Sequence, residues 1–229
     1  MKFIGADGCR YGWTIAVSNA IGTNLEIQLH DSIQSIFDTH SDVTCLAIDM
    51  IIGIPEKALK GGRLADSEAR RILGKRGSSV FSAPCRSAVY ASDYQTALLN
   101  SRRSDPAGIG LSKQSWNLCP KIREIDQFLQ QRPDLKQIIF EVHPELAFYT
   151  MNGSDVLIPK KRSSEGLAIR KDLLINAGMS PEIVNPSNDD ALDAIACLWS
   201  AKRITEGLSN QVPNHNPIDK MGFEMVIHW

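Results

Sequence analysis

The sequence lacks several features that would assign a protein to a class at once. No apolar run approaches the roughly 18 residues that a membrane-spanning helix needs. The five cysteines are scattered and never form a Cys-x-x-Cys pair, which argues against a disulfide framework and a zinc knuckle. Internal repeats and low-complexity tracts are also missing from the chain. Since the amino terminus is typical of a strand rather than a signal peptide, we expect a cytoplasmic protein with no membrane partner.

An excess of charge of either sign is missing as well. The 25 basic and 26 acidic residues leave a formal net charge of −1. Such a balance provides no global attraction to nucleic acid, so a polyanion would have to be held by a local patch. It also argues mildly against tight, non-specific binding to long polyanions.

The first seventeen residues predict a strand, a tight turn and a second strand. An apolar run from Phe3 leads to Asp7, the chain breaks at Gly8, and a second run extends from Trp13 to Val17. A third strand is predicted at 25–29, which suggests an antiparallel meander. A carboxylate beside such a turn is costly to bury unless it is paired or bound to a cation, so Asp7 is a candidate site residue. Capping of the turn is the alternative.

Two later strands also lead to an acid. Residues 43–55 form an almost continuous apolar run, typical of a strand buried on both faces, and the predicted strand ends at Asp49, with Gly53 and Pro55 in the loop beyond it. A further strand, predicted at 135–142, leads to Glu141. Between them, residues 56–135 have mainly helical spacing, which we interpret as a helical insertion within a single domain spanning 1–229.

A late amphipathic helix, predicted from Ser187 to Ile204, provides more acids. Asp189 and Asp190 lie in its first turn, where they would complement the helix dipole. Asp190 and Asp193 are three residues apart and share a helical face. If the sheet brings the strand ends beside this helix, four or five carboxylates converge and raise one another's pKa values. A cation is then expected among them, and hard oxygen ligands favour Mg²⁺ or Mn²⁺.

These segments resemble one known family. The motifs GADGCRYGW around Asp7, AIDMIIGIP around Asp49, FEVHPE around Glu141 and NDDALDAIACLWSA around Asp190 and Asp193 are similar to those of domain-of-unknown-function family 429, an uncharacterised family of predicted nucleases. The resemblance implies an α/β fold of the ribonuclease H-like type: a mixed five-stranded sheet whose first three strands are antiparallel, with flanking helices and the helical insertion. The last helix is also similar to that of RuvC-type resolvases, whose acids bind two metals. By this resemblance Asp7 is the central metal-bridging acid, Asp190 and Asp193 complete the site, and Asp49 or Glu141 supplies the remaining strand carboxylate.

The implied chemistry is hydrolysis of a phosphodiester by two metal ions about 4 Å apart. We therefore predict catalytic roles for Asp7, Asp49, Glu141, Asp190 and Asp193, with Asp7, Glu141, Asp190 and Asp193 as metal ligands. Basic residues of the insertion and of a later loop are candidates for gripping the phosphate: Arg63, Arg70, Arg71, Lys75, Arg76, Lys160, Lys161 and Arg162. We favour Arg70, Arg71 and Lys161, because a solvated basic face is the better interpretation of Lys75 and Arg76, whereas for Arg70 and Arg71 it is no better than phosphate binding. The substrate would be nucleic acid or a nucleotide.

Other side chains, and other functions, have competing interpretations. His143 is either a general acid or base or a loop histidine before Pro144. Tyr90, Tyr94 and Trp116 could stack on bases, although such aromatic residues usually belong to a core.

The early Asp-Gly turn also opens the actin and sugar-kinase ATPase fold, which would need a second phosphate loop and two lobes. A non-catalytic metal-binding or partner-binding protein on the same fold is a third hypothesis. A second copy of the chain, in a homodimer, is a further candidate partner.

Overall fold

The structure is a computed structural model that describes residues 1–19, 24–179 and 189–229. Its strands are β1 Lys2–Cys9, β2 Gly12–Ser18, β3 Glu26–His30, β4 Val43–Asp49, β5 Ile139–Glu141, β6 Gln211–Val212 and β7 Ile227–His228. Its α-helices are α1 Ile33–Thr39, α2 Leu64–Leu73, α3 Arg86–Val89, α4 Tyr94–Ser104, α5 Lys113–Gln131, α6 Pro144–Met151, α7 Ser164–Asn176 and α8 Asp189–Thr205. None of the helices in these described ranges is long and apolar enough to cross a bilayer.

The main sheet is mixed and has the strand order β3-β2-β1-β4-β5. The first three strands form the predicted antiparallel meander. Gly12 begins β2 with a φ of +135°, and a Cβ there would lie 1.9 Å from the carbonyl oxygen of His30, so only glycine fits this position. Strands β4 and β5 run parallel to β1, so the carboxyl ends of three neighbouring strands meet at one edge.

Helices cover both faces of this sheet. Alternate residues of a strand point to opposite faces, and both faces of β1, β2 and β4 are apolar. On one face, side chains such as Ile4 and Leu46 pack against α1 and α5. On the other face, residues such as Phe3 and Ala47 pack against α6, α7 and α8. Helix α8 makes the closest approach to the sheet, along β1.

The strand predicted at 135–142 is shorter than expected, and two helices, α3 and α6, are absent from the prediction. Strand β4 ends at Asp49, as predicted, and the chain beyond it bends through Gly53 at φ +74° and continues to Pro55. The run at 135–142 is partly a 3-10 turn, leaving only Ile139–Glu141 as strand. Helix α6 takes the place of an expected loop and begins directly after the segment from Glu141 to His143. Ser187 and Asn188 of the last predicted helix lie outside the described residues.

Candidate functional site

Asp7 and Asp49 are neighbours at the carboxyl ends of two parallel strands. The register of β1 and β4 pairs Asp7 directly with Asp49. By strand alternation Asp7 shares its face with Phe3, and Asp49 shares its face with Ala47. Both carboxylates therefore point toward the face that α8 covers.

Helix α8 brings a third carboxylate to this pair because β1 has no side chain at Gly5. A Cβ at Gly5 would lie 2.1 Å from the Ala194 carbonyl oxygen and 2.1 Å from the Leu198 backbone nitrogen. No side chain could be accommodated at that distance without moving the helix. The helix backbone thus rests on β1, and Asp193, one turn from Cys197 and next to Ala194, lies above Asp7.

The three carboxylates form a compact triad, Asp7, Asp49 and Asp193. One oxygen of each lies within 4.8 Å of the others, a spacing at which a single cation could bind all three. Two ionised carboxylates at that separation repel each other by roughly 3–4 kcal/mol at an effective dielectric constant of 20. The arrangement is therefore costly without protons or a cation.

Burial and mutual repulsion are reflected in the pKa values of the triad. Burial, followed by the charges of Asp193 and Asp49, holds the pKa of Asp7 well above its usual range. Burial also raises the pKa of Asp49, against the lowering effect of His143 and Lys161. It raises the pKa of Asp193 to about 7, although Lys161 acts in the opposite direction. Each member thus holds its proton more tightly than an exposed aspartate does.

Lys161 supplies a positive charge at the triad. Its ammonium group pairs with Oδ2 of Asp193 and lies 3.6 Å from Asp189. Burial disfavours the charged ammonium, but Asp193 outweighs this effect and the net pKa of Lys161 is raised. The other oxygen of Asp193, Oδ1, is buried and has no hydrogen-bond partner within the described parts of the chain. One lysine therefore neutralises three acids only in part.

The other acids at the start of α8 lie at the rim of the triad. Asp190 contributes to the raised pKa of Asp7, but its oxygens are outside the group of three. Asp189 pairs with Arg162 at 3.0 Å and with Lys161. Of the predicted helix acids, the structure thus brings only Asp193 into contact with the strand acids.

Glu141 belongs to a second buried cluster, centred on Arg63. The guanidinium of Arg63 binds Glu141 at 2.5 and 2.8 Å and Asp66 at 2.8 and 3.0 Å. It also donates to the Ile52 carbonyl at 2.5 Å, while the Ile52 N–H donates to Glu141 Oε2 at 2.6 Å. Burial raises the pKa of Glu141 to about 7, against the charge of Arg63.

The position of Glu141 in the sheet explains why it is absent from the triad. The register pairs Glu141 with Ile48, not with Asp49. Ile48 points to the face packed by α1 and α5, and Glu141 therefore leaves the sheet on that same face. The sequence predicted the correct strand end, but a shift of one residue turns the carboxylate away from α8.

A cavity of about 140 Å³ lies at the carboxyl edge of the parallel strands. Asp7 and Asp49 line it, together with Glu141, His143 and Phe81. His143 is the N-cap of α6: its Nδ1 accepts the Glu145 N–H at 3.3 Å, and its Nε2 lies 3.4 Å from the Ser79 carbonyl oxygen. The histidine therefore has a structural role beside the triad.

Most of the predicted phosphate-binding residues are engaged in other contacts or lie away from the triad. Arg70 donates to the carbonyl oxygens of Val80, at 2.8 Å, and of Gly61. Arg71 is exposed on a different surface, beside Trp229. Arg76 pairs with Glu145, Arg162 pairs with Asp189, and Lys75 and Lys160 are exposed. Among the three favoured residues, Lys161 is the one in contact with the triad.

Sequence reasoning missed Asp66, Glu145 and Arg170. Asp66 lies in a segment of helical spacing, which by itself gives an acid no special role. Its position three residues after Arg63, at the start of α2, is part of that spacing. Glu145 bridges buried Arg170 at 2.5 Å and Arg76 at 3.1 Å. Burial would raise its pKa, but Arg170 and Arg76 outweigh burial and lower it. The Pro144-Glu145 pair at a helix start was the signal that could have revealed this element.

The fold and site together define an α/β protein with a mixed five-stranded sheet and a buried aspartate triad at its carboxyl edge. Residues 5–218 match the family described as "Protein of unknown function (DUF429)". The match covers nearly the whole chain, and the chain belongs to this family. No curated protein and no solved structure matches it.

Proposed function

We propose that this protein is a metal-dependent phosphodiesterase of the nuclease type, with its centre at Asp7, Asp49 and Asp193. The observation that carries the proposal is the triad itself: the carboxylates of buried Asp7 and Asp193 and of half-buried Asp49 lie within 4.8 Å of one another, with one lysine beside them. Purely structural acids are normally paired one to one with cations or hydrogen-bond donors. The partial neutralisation favours a site that takes up a cation.

The residues present fit a hard divalent cation. All three ligating groups are carboxylates, the donor type that Mg²⁺ and Mn²⁺ prefer. Asp193 Oδ1 is buried and unpartnered within the described residues, and so is available as a ligand atom. We therefore assign Asp7, Asp49 and Asp193 as the ligands, place Asp190 at the rim, and replace Glu141 of the sequence-based set with Asp49.

The sheet topology supports the same class of activity. A mixed five-stranded sheet whose first three strands are antiparallel is what the resemblance described above implies for a ribonuclease H-like fold. In open α/β sheets, ligands bind outside the carboxyl ends of the parallel strands, where this cavity lies. The fold alone does not imply a function, so the argument depends on the triad.

The chain's own groups have definable tasks in this proposal. A bound Mg²⁺ or Mn²⁺ would supply the charge that activates water and stabilises the leaving oxygen. The three aspartates hold that charge in a buried setting, where electrostatic interactions are strengthened. Lys161 is positioned to bind a phosphate oxygen once Asp193 is otherwise neutralised. His143 positions α6 and its Glu145 next to the cavity.

The proposal is tested by a cleavage assay with Mg²⁺ or Mn²⁺ on single-stranded, duplex, hybrid and junction substrates. The wild type and an Asp7→Asn variant are compared, with Asp172→Asn at an exposed position of α7 as a matched control. We expect metal-dependent cleavage by the wild type and the control, and none by Asp7→Asn. Cleavage that survives in Asp7→Asn, or a wild type that neither cleaves nor is stabilised by metal, would contradict the proposal.

A further inference from the structure

Phe81 is an exposed apolar ring that separates two cavities. Its residue is 39% exposed, and it lines both the triad cavity and a second cavity of about 300 Å³. Within the described chain it takes part in no ring-ring or cation-ring contact. A single exposed phenylalanine is ordinary on a protein surface, and its position between the two cavities is what requires an explanation.

The backbone around Phe81 is held in place on both sides. Arg70 donates to the Val80 carbonyl oxygen at 2.8 Å. The Ser115 hydroxyl donates to the Ser82 carbonyl oxygen at 3.0 Å, and the Ala83 N–H donates to Asp66 at 2.8 Å. The ring is therefore presented from a fixed segment, so that little ordering would be needed when a flat ligand binds it.

The second cavity differs from the first in its chemistry. Its lining contains no aspartate, glutamate, lysine, arginine or histidine among the described residues. Four serines line it, and the Ser101 hydroxyl donates to the Ile109 carbonyl oxygen at 2.9 Å, so the Ser101 oxygen remains able to accept a hydrogen bond. A neutral, planar group with N–H donors suits this cavity, whereas the triad cavity suits a cation and a phosphate.

The aromatic residues predicted from the sequence to stack on bases are already engaged. Lys113 lies 3.5 Å above the ring of Tyr94, and Trp116 meets that ring edge-on at 6.3 Å. Tyr90 donates its hydroxyl to Asp126, and Arg123 lies over its ring. Phe81 is the aromatic side chain that lines the triad cavity itself.

We infer that Phe81 is a stacking platform for an unpaired nucleobase, whose phosphodiester lies at the triad. The inference rests on the proposed phosphodiesterase function and narrows its substrate to an unpaired nucleotide unit, in a single strand or a dinucleotide. A base inside a duplex has both faces covered by its neighbours and would have to be extruded before it could stack here. Stacking on an aromatic ring is tolerant of base identity, so no strong sequence preference is expected.

Cleavage of a single-stranded oligonucleotide is compared with that of an abasic strand of the same length, with a dinucleotide and a duplex as further substrates. The wild type should favour the base-containing strand by about fivefold or more, the lower end of the stacking energies measured for single bases. Phe81→Ala should lose this preference, and Phe81→Trp should retain it. Leu99→Ala, a similarly exposed apolar side chain of α4 that lines neither cavity, should behave as the wild type. Cleavage of the duplex as fast as of the single strand would contradict the inference, because a paired base is not free to stack on Phe81.

A second readout does not depend on catalysis. The emission of the indole at position 81 is obtained as the difference between the Phe81→Trp variant and the wild type, since both contain the four native tryptophans. This emission should be quenched by the single-stranded oligonucleotide and not by the abasic strand. If Phe81→Ala keeps the full base preference, or the indole signal of Phe81→Trp responds equally to both strands, the inference is overturned while the phosphodiesterase proposal stands. Selective quenching without cleavage by the wild type would support base binding and overturn the phosphodiesterase proposal instead.

Discussion

Two acidic clusters contribute carboxylates to the same cavity and differ in how far they are neutralised. In the Arg63 cluster, one fully buried guanidinium binds both oxygens of Glu141 and one oxygen of Asp66, and the second Asp66 oxygen accepts two backbone N–H groups. In the aspartate triad, one partly exposed lysine contacts one of three acids. In the Arg63 cluster every carboxylate oxygen therefore has a partner within the protein, and no ligand is needed. The triad has the charge and the free oxygen atom that a cation needs, and this difference separates a structural cluster from a candidate site.

The largest expected effect comes from removal of the cation of the complete cluster. Arg63→Met should lower the free energy of unfolding by about 3–5 kcal/mol, because it leaves Glu141 and Asp66 buried without a partner. Urea denaturation measures the loss. Arg71→Met, on the exposed side of the same helix, is the control and should change stability by less than about 0.5 kcal/mol. A similarly small loss in Arg63→Met would mean that the cluster is not the closed ion network described above.

A divalent metal should stabilise the protein by binding to the triad, and not by binding to the Arg63 cluster. At a metal concentration of 100 times Kd, we expect about 2.7 kcal/mol of stabilisation of the wild type. For a protein of this size, that corresponds to a rise in Tm of about 5–10 °C. Asp7→Asn should abolish the rise, and its metal-free Tm should equal or exceed that of the wild type, because one repulsive charge is gone. A Tm rise that persists in Asp7→Asn would place the metal elsewhere.

The metal-free protein should lose stability as the pH rises from about 4 to about 7. The pKa of Asp193 is about 7 in the folded protein, against an ordinary value of 3.8. The folded state then binds more protons than the unfolded state between these values, and the free energy of unfolding decreases with increasing pH. Each unit of pKa difference corresponds to about 1.4 kcal/mol.

The pH effect is measured by urea denaturation in the presence of EDTA at several pH values. Glu141, with a pKa of about 7, contributes in the same direction. The decrease in the free energy of unfolding with rising pH should therefore be smaller in Asp193→Asn than in the wild type, but still present. A stability that increases steadily from pH 4 to pH 7 would show that the triad is ionised and compensated in the folded state.

The smallest effect is expected for Lys161. In Lys161→Met the triad loses its resident positive charge, so Mn²⁺ should bind about tenfold more tightly, equivalent to about 1.4 kcal/mol of relieved repulsion. Lys160→Met, which removes the neighbouring exposed charge, should change affinity much less. Equal affinities in Lys161→Met and the wild type would mean that the lysine does not compete with the metal.

The sequence was sufficient to predict the elements with a strong local signal. Alternation and turn residues predicted the antiparallel meander of the first three strands. The sequence predicted that four or five carboxylates converge where the strand ends meet the last helix, and three of them, Asp7, Asp49 and Asp193, form the triad. Helix α6 is absent from the prediction because Pro144 favours a loop in that context, whereas it occupies the first turn of a helix capped by His143.

The remaining errors concern registration and long-range pairing. Whether Glu141 faces α8 depends on which residue of β4 it pairs with, and a one-residue difference changes the face of the sheet. The partnership of Arg63 with Glu141 spans 78 positions in the sequence, and no local pattern indicates it. The contact between Lys161 and Asp193 likewise joins residues that are distant in the sequence, and no local pattern indicates it. Sequence patterns therefore identified the acids, while tertiary contacts decided which of them are already paired.

The central claim is that the triad, and not the Arg63 cluster, binds a divalent cation. Titration of Mn²⁺ into the metal-free protein by isothermal calorimetry tests it most directly, with Asp193→Asn and Glu141→Gln compared after circular dichroism has verified their fold. We predict binding by the wild type and by Glu141→Gln, and none by Asp193→Asn. Loss of binding in Glu141→Gln together with its retention in Asp193→Asn, or no binding by the wild type, would contradict the claim.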